Sequence, residues 1–285
     1  MIKQFVAIST LSIMMLMGCQ KQEGGSGTVS LDLTDAAVNN VAQVYLAVSS
    51  VSLHGPDGTL NYKLSNDIHD YLQYPLLDYN GGISVSLLKD AQVAPGAYHW
   101  IRLNLATEGN LDTYVELEDG SIHELEVISE TGLKLNRGFY VPEDGNVSFT
   151  LDLDLQKSLI RTKNGYRLKP VIRVVNNDDI GRIAGRVDAS LLSSNRCNQA
   201  AMYLFRGYDA APSDINPKND PEVIVPVNLE NNNAYHFGFI SSGEYSLALA
   251  CDPKDDPEAE DEMKFLQQKN VLVRSSYTTF IHMDL

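Results

Sequence analysis

Apolar and polar residues alternate with period two through most of the chain beyond residue 28, which predicts strands with one buried face. Val29, Leu31 and Leu33 share one face, with Ser30, Asp32 and Thr34 opposite. Val44, Leu46 and Val48 alternate next; the phase then slips at Ser49-Ser50 and resumes with Val51 and Leu53, which predicts a bulge. His54-Gly55-Pro56-Asp57-Gly58 is turn chemistry. Residues 61–80 lose the alternation and carry Tyr62, Tyr71, Tyr74 and Tyr79, so a long irregular surface excursion is expected there.

The alternation restarts at Ile83, Val85 and Leu87, and Pro95-Gly96 turns the chain into Tyr98 to Leu105. There Ile101, Leu103 and Leu105 face one way, and Trp100, Arg102 and Asn104 the other. Asp119-Gly120 between Tyr114 to Leu117 and Ile122 to Val127 predicts a hairpin. The clearest strand runs from Val147 to Leu155, with Ser148, Thr150, Asp152 and Asp154 on its polar face. Asn164-Gly165 turns into Tyr166 to Val175, and Asn176-Asn177-Asp178-Asp179 reads as a domain boundary.

Beyond it, strands are expected over 180–187, 202–205, 223–229, 235–240, 244–251, 270–274 and 278–285. The loops 209–222 and 252–262 interrupt them, the second with seven carboxylates and one lysine. Many short strands and no helix of length predict an all-β protein of two β-sandwich domains, 28–175 and 180–285.

The first residues change the picture. An apolar run from Phe5 to Met17 follows Lys3 and ends at Leu16-Met17-Gly18-Cys19. The run is too short to span a bilayer and reads as a signal peptide over 1–18 that ends in a lipobox. Cys19 is then the lipidated first residue of the mature chain, and residues 19–27 form a polar, glycine-rich tether. The compartment is the cell envelope, with the membrane reached through the lipid. Loss of the leader removes one of 22 basic residues, leaving 21 against 37 acidic ones, a net charge of −16. That field repels nucleic acid and favours cationic partners or a soluble extracytoplasmic surface. Two cysteines remain, Cys197 and Cys251; neither has a metal-binding neighbour, and in an oxidising compartment such a pair usually bridges.

The region from Thr28 to Val175 resembles the bacterial lipoprotein domain catalogued as domain of unknown function 4382. The resemblance rests on Ser30 to Ala36, Val48 to Gly55, Pro95-Gly96-Ala97-Tyr98 leading into Ile101 to Leu105, Thr131 to Leu135, Leu151 to Ser158 and Leu168 to Arg173. Ala37 departs from it, standing where such sequences usually carry proline. The second half is similar to a prealbumin-like domain of the carboxypeptidase-regulatory type, through Gly181 to Val187, Tyr235 to Phe239 and Ser242 to Leu247. The first resemblance implies fold and location; the second implies a spacer or binding module more often than an enzyme.

Catalytic motifs are absent: the six histidines show no zinc-hydrolase spacing, and no nucleophile elbow, P-loop or dinucleotide fingerprint occurs. Asp152 and Asp154 share one strand face about 7 Å apart, a spacing open to glycoside hydrolysis, to calcium or simply to a solvated sandwich face. Asp32 and Asp35 carry the same ambiguity. Asp252, Asp255 and Asp256 are the calcium candidates of the acidic loop, whose alternative is a solvated, mobile loop. Trp100, Arg102 and Asn104 form an aromatic and polar strip of the kind that binds sugars, unless Trp100 is buried between layers. The reading is a lipid-anchored envelope protein, not an enzyme and without cofactor, that binds or displays a glycan or an envelope protein. Its alternatives are a carbohydrate-binding adhesin and a carboxylate-dependent hydrolase. Gln20 is not the aspartate that commonly retains lipoproteins in the inner membrane, so the outer membrane of a Gram-negative bacterium is expected.

Overall fold

The computed structural model describes residues 25–36, 41–107, 109, 111–128, 132–163, 165–215, 220–255 and 257–284. Cys19, the leader, most of the tether and Asp256 lie outside them, as do Ala37 and Thr131. The protein is all-β. Its first half contains β1 (Gly27–Ala36), β2 (Gln43–Gly55), β3 (Gly58–Lys63), β4 (Leu72–Pro75), β5 (Val85–Val93), β6 (Gly96–Tyr98), β7 (Trp100–Leu105) and β8 (Tyr114–Glu116). It continues with β9 (Ile122–Val127), β10 (Leu133–Leu135), β11 (Phe139–Val141), β12 (Asn146–Asp154), the single-turn α1 (Leu155–Ser158), β13 (Leu159–Thr162), β14 (Gly165–Leu168) and β15 (Ile172–Asn176).

A four-stranded sheet, β15-β12-β1-β5, faces a larger one ordered β10-β7-β2-β8-β9-β14-β13, with β3 and β4 also paired to β2. Leu31, Leu33, Leu151 and Leu153 from the first sheet and Val44, Leu46, Leu53, Ile101 and Leu103 from the second are all fully buried in one core. The expected bulge is present: the β2–β7 register shifts between Val48 and Ser50. Residues 61–80 are more regular than expected, because β3 and β4 both pair with β2 and Tyr74 enters the core. Pairing to a neighbour stabilises strands that side-chain alternation does not reveal.

The second half contains β16 (Ile180–Arg186), α2 (Ala189–Asn195), β17 (Ala200–Arg206), β18 (Val223–Pro226), β19 (Ala234–Ser241), β20 (Gly243–Cys251), β21 (Phe265–Val273) and β22 (Thr278–Phe280). Sheets β19-β16-β22 and β18-β17-β20-β21 enclose a second core around Met202, Phe237, Leu247 and Leu249. A third apolar cluster, Tyr203, Phe205, Ile215 and Ala248 among its members, lies on the other face of the four-stranded sheet. Chain from the two long loops, including Ile215 and Met263, packs onto it. β17 and β20 are therefore buried on both faces, which explains their nearly continuous apolar sequences. Cys197 and Cys251 form a disulfide.

Candidate functional site

The two halves meet along the face of β12 that its alternation marks as polar. Phe149, Leu151 and Leu153 enter the first core, and the opposite residues Thr150, Asp152 and Asp154 are buried as well. The solvent-facing reading of Asp152 and Asp154 is therefore corrected: the second half covers that face. Desolvating two carboxylates demands partners, and each has a cation. Arg173, directly opposite Asp152 on β15, donates from Nη2 to Asp152 Oδ2 at 2.5 Å and from Nη1 to the carbonyl of Phe239 in β19 at 2.9 Å. Phe239 has a positive φ of 51°, beside the register shift of β19 against β16. This distortion lies where the carbonyl meets the guanidinium across the junction.

Asp154 caps α1, accepting from the backbone N–H of Lys157 at 3.1 Å, and lies 3.5 Å from the Lys157 ammonium. Lys157 Nζ in turn donates to Asp220 at 2.9 Å and to the carbonyl of Pro221, both in the second half. Burial raises the Asp154 carboxyl to about 6, against the opposing pull of Lys157. On the core side of β1, Asp35 Oδ1 accepts from the backbone N–H of Leu155 at 3.3 Å and so braces the start of the same helical turn. Asp32 is half-buried, with Ser84 donating to it at 3.4 Å, and burial raises its carboxyl. Arg173 and Lys157 were not singled out in the sequence. Lys157 follows Asp154 at helical spacing, whereas the partnership of Arg173 depends on strand register.

Backbones also touch across this junction. A Cβ on Gly238 of β19 would stand 2.2 Å from the Cα of Gly82, so only glycine fits at that crossing. Beside it lies a cavity of about 410 Å³ lined by Asp35, Gly81, Asp152, Tyr235, His236 and Phe239. A cleft of about 910 Å³ separates the β13–β14 hairpin from residues 252–261.

Two carboxylates of the acidic loop, Asp252 and Asp255, are built into the fold, while Glu258, Glu260 and Glu262 are exposed. Asp252 Oδ1 accepts from the N–H groups of Asn198 and Gln199, each at 2.7 Å. Asp255 accepts from the Tyr203 hydroxyl and from the N–H of Ile215, each at 2.9 Å, and its carboxyl is raised by burial. Among the described residues no group of three or more His, Cys, Asp or Glu side chains is placed to hold a metal ion.

Trp100, Arg102 and Asn104 come together on the outer face of the larger sheet of the first half, with Ile101 and Leu103 fully buried beneath. Trp100 is therefore not the tryptophan between layers that the sequence left open. His54 of β2 lies opposite Trp100 and stacks on it, centroids 5.1 Å apart and 10° from parallel. The Arg102 guanidinium lies 4.7 Å and the Lys134 ammonium 5.0 Å from the indole centroid. Asn104 donates to the hydroxyls of Ser50 and Ser52 at 2.9 and 2.7 Å, and Ser52 donates to Asn61 of β3. These contacts across β10, β7, β2 and β3 tie the strip into one polar face.

Among solved structures, the Bacillus anthracis TIE protein is 9% identical, with 91% of this chain and 34% of that one covered at a TM-score of 0.22. This chain thus spans about a third of that protein's length. GBS52, the minor pilin of Streptococcus agalactiae, is 9% identical, with 90% and 94% covered and a TM-score of 0.20. A DUF3823 family protein from Bacteroides ovatus is 14% identical, with 87% and 100% covered and a TM-score of 0.18. Similarity at this level carries no functional weight. No curated protein matches the sequence. Residues 26–170, just over half of the 285, match the family described as domain of unknown function DUF4382, and the chain belongs to that family.

Proposed function

We propose that the protein is a lipid-anchored component of the cell envelope with a non-catalytic structural or binding role. The observation that carries this reading is the fate of Asp152 and Asp154. The two carboxylates best spaced for acid–base chemistry are engaged with Arg173 and Lys157 inside the contact between the halves. A catalytic pair needs one group free of internal partners to exchange a proton with a substrate. Carboxylates held by internal cations instead fix how two modules are joined. We take residues 28–175 and 180–285 as two domains joined in this way, the second of prealbumin type. The anchor is assigned to Cys19 and the outer membrane to the residue that follows it, Gln20. Among the described residues no helix is long and apolar enough to cross a membrane.

Two experiments test the proposal. Cys19→Ala should abolish labelling by a palmitate analogue and release the protein from membranes in a carbonate wash; retention would refute the anchor. The soluble form should turn over no glycosidase, esterase or peptidase substrate. Turnover that is lost in Asp152→Asn or Asp154→Asn while the variant remains folded by circular dichroism would refute the non-catalytic role.

A further inference from the structure

The outer face around Trp100 carries a charge opposite in sign to the chain's net charge. The chain has 37 acidic and 22 basic residues. Yet where β10, β7, β2 and β3 lie side by side, the paired outward positions include Lys134, Arg102 and Lys63 and no aspartate or glutamate. Among the described residues no acidic side chain forms an ion pair with Lys63, Arg102 or Lys134. The Nε of Arg102 is buried without a hydrogen-bond partner. Lys63 and Lys134 are exposed, so their charges face solvent uncompensated.

We propose that this face binds an acidic polysaccharide, its carboxylate or sulfate groups held by Arg102, Lys134 and Lys63. Charge complementarity selects an anion. The surface between the cations selects a polyhydroxylated one. Asn61, Asn104, Ser50 and Ser52 bond partly to one another and His54 to Thr59, and the atoms outside those bonds, Asn104 Oδ1, Asn61 Nδ2, His54 Nε2 and the Ser50 O–H, leave a polar surface. Four adjacent strands make a surface about 14 Å wide, which suits an extended chain laid across them. Trp100 acts here as a scaffold. Its ring is already contacted by His54, Arg102 and Lys134, so it holds two cations in place before the ligand arrives, lowering the entropy lost on binding.

The test uses the soluble mature chain and four immobilised polymers: heparin, polygalacturonate, neutral dextran and poly-glutamate. The protein should bind heparin or polygalacturonate, weaken as salt screens the contact, and bind neither dextran nor poly-glutamate. Arg102→Ala and Lys134→Ala should each weaken binding about ten-fold, as expected for loss of a charge-assisted hydrogen bond, and Lys63→Ala should also weaken it. Lys89→Ala, on β5 of the opposite sheet, should leave it unchanged. Circular dichroism and the melting temperature identify any variant that fails to fold; Arg102→Gln and Lys134→Gln then replace the alanine variants. No binding to either acidic glycan, equal binding to poly-glutamate, or binding insensitive to Arg102 and Lys134 would each overturn the proposal.

Discussion

Removing Arg173 probes the junction between the halves directly. In Arg173→Met the partner carboxylate, whose side chain is only 8% exposed, loses its ion pair, and the Phe239 carbonyl loses its donor. Breaking a buried pair from one side costs about 3–5 kcal/mol, because an uncompensated charge remains in a poorly solvated place. Replacing both partners removes that charge. The native pair is itself imperfect: Asp152 Oδ1 and Arg173 Nε are buried without hydrogen bonds, and such an atom costs about 1–3 kcal/mol. The double variant Asp152→Leu/Arg173→Met should therefore be more stable than either single one, with a coupling energy of at least about 2 kcal/mol. Urea unfolding of the soluble chain, followed by the fluorescence of its one tryptophan, Trp100, reads the stability of the half that carries both residues. A loss of less than about 1 kcal/mol in Arg173→Met, or a double variant as unstable as that single variant, would refute the buried-pair account of the junction.

The folded-state pKa of Asp154, about 6 against an ordinary 3.8, means the native chain holds a proton that the unfolded chain releases between these values. Stability contributed by this group is thus full below pH 3.8, falls by about 3 kcal/mol up to pH 6 and is flat above; Asp154→Asn, which can still cap α1, should remove that slope in unfolding midpoints measured from pH 4 to 8. Reduction of Cys197–Cys251, 54 positions apart, should destabilise the second half by about 4 kcal/mol, read as a lower urea midpoint by far-ultraviolet circular dichroism; an unchanged midpoint would contradict it. Gly238→Ala forces backbone against Gly82 and should cost about 1–3 kcal/mol, read as a lower urea midpoint, whereas Gly138→Ala, whose added Cβ would meet only the Tyr98 carbonyl at 3.3 Å, serves as a control away from the junction.

Much of the fold was legible because period-two alternation is a local property. β1, β2, β7, β9 and β12 all fall where the pattern places them, and the phase slip at Ser49-Ser50 marks a real irregularity. Short strands such as β4, β10 and β11 were not legible, because pairing with neighbours defines them more than a pattern of their own. The disulfide followed from counting cysteines in an oxidising compartment, a constraint that needs no geometry.

Alternation tells which residues of a strand share a face and leaves open what covers it. On β12 the polar face became a contact between the two halves, so Asp152 and Asp154 turned from surface carboxylates into buried, paired ones. On β7 the corresponding face stayed outward, and Trp100, Arg102 and Asn104 are half-buried on it. Sequence alone determined the longer strands, their inward residues and the cysteine pair. Tertiary structure decided which polar face met another layer and which met water, because that depends on chain far away in sequence: Phe239 and Asp220 for β12, and Lys134 and His54 for β7.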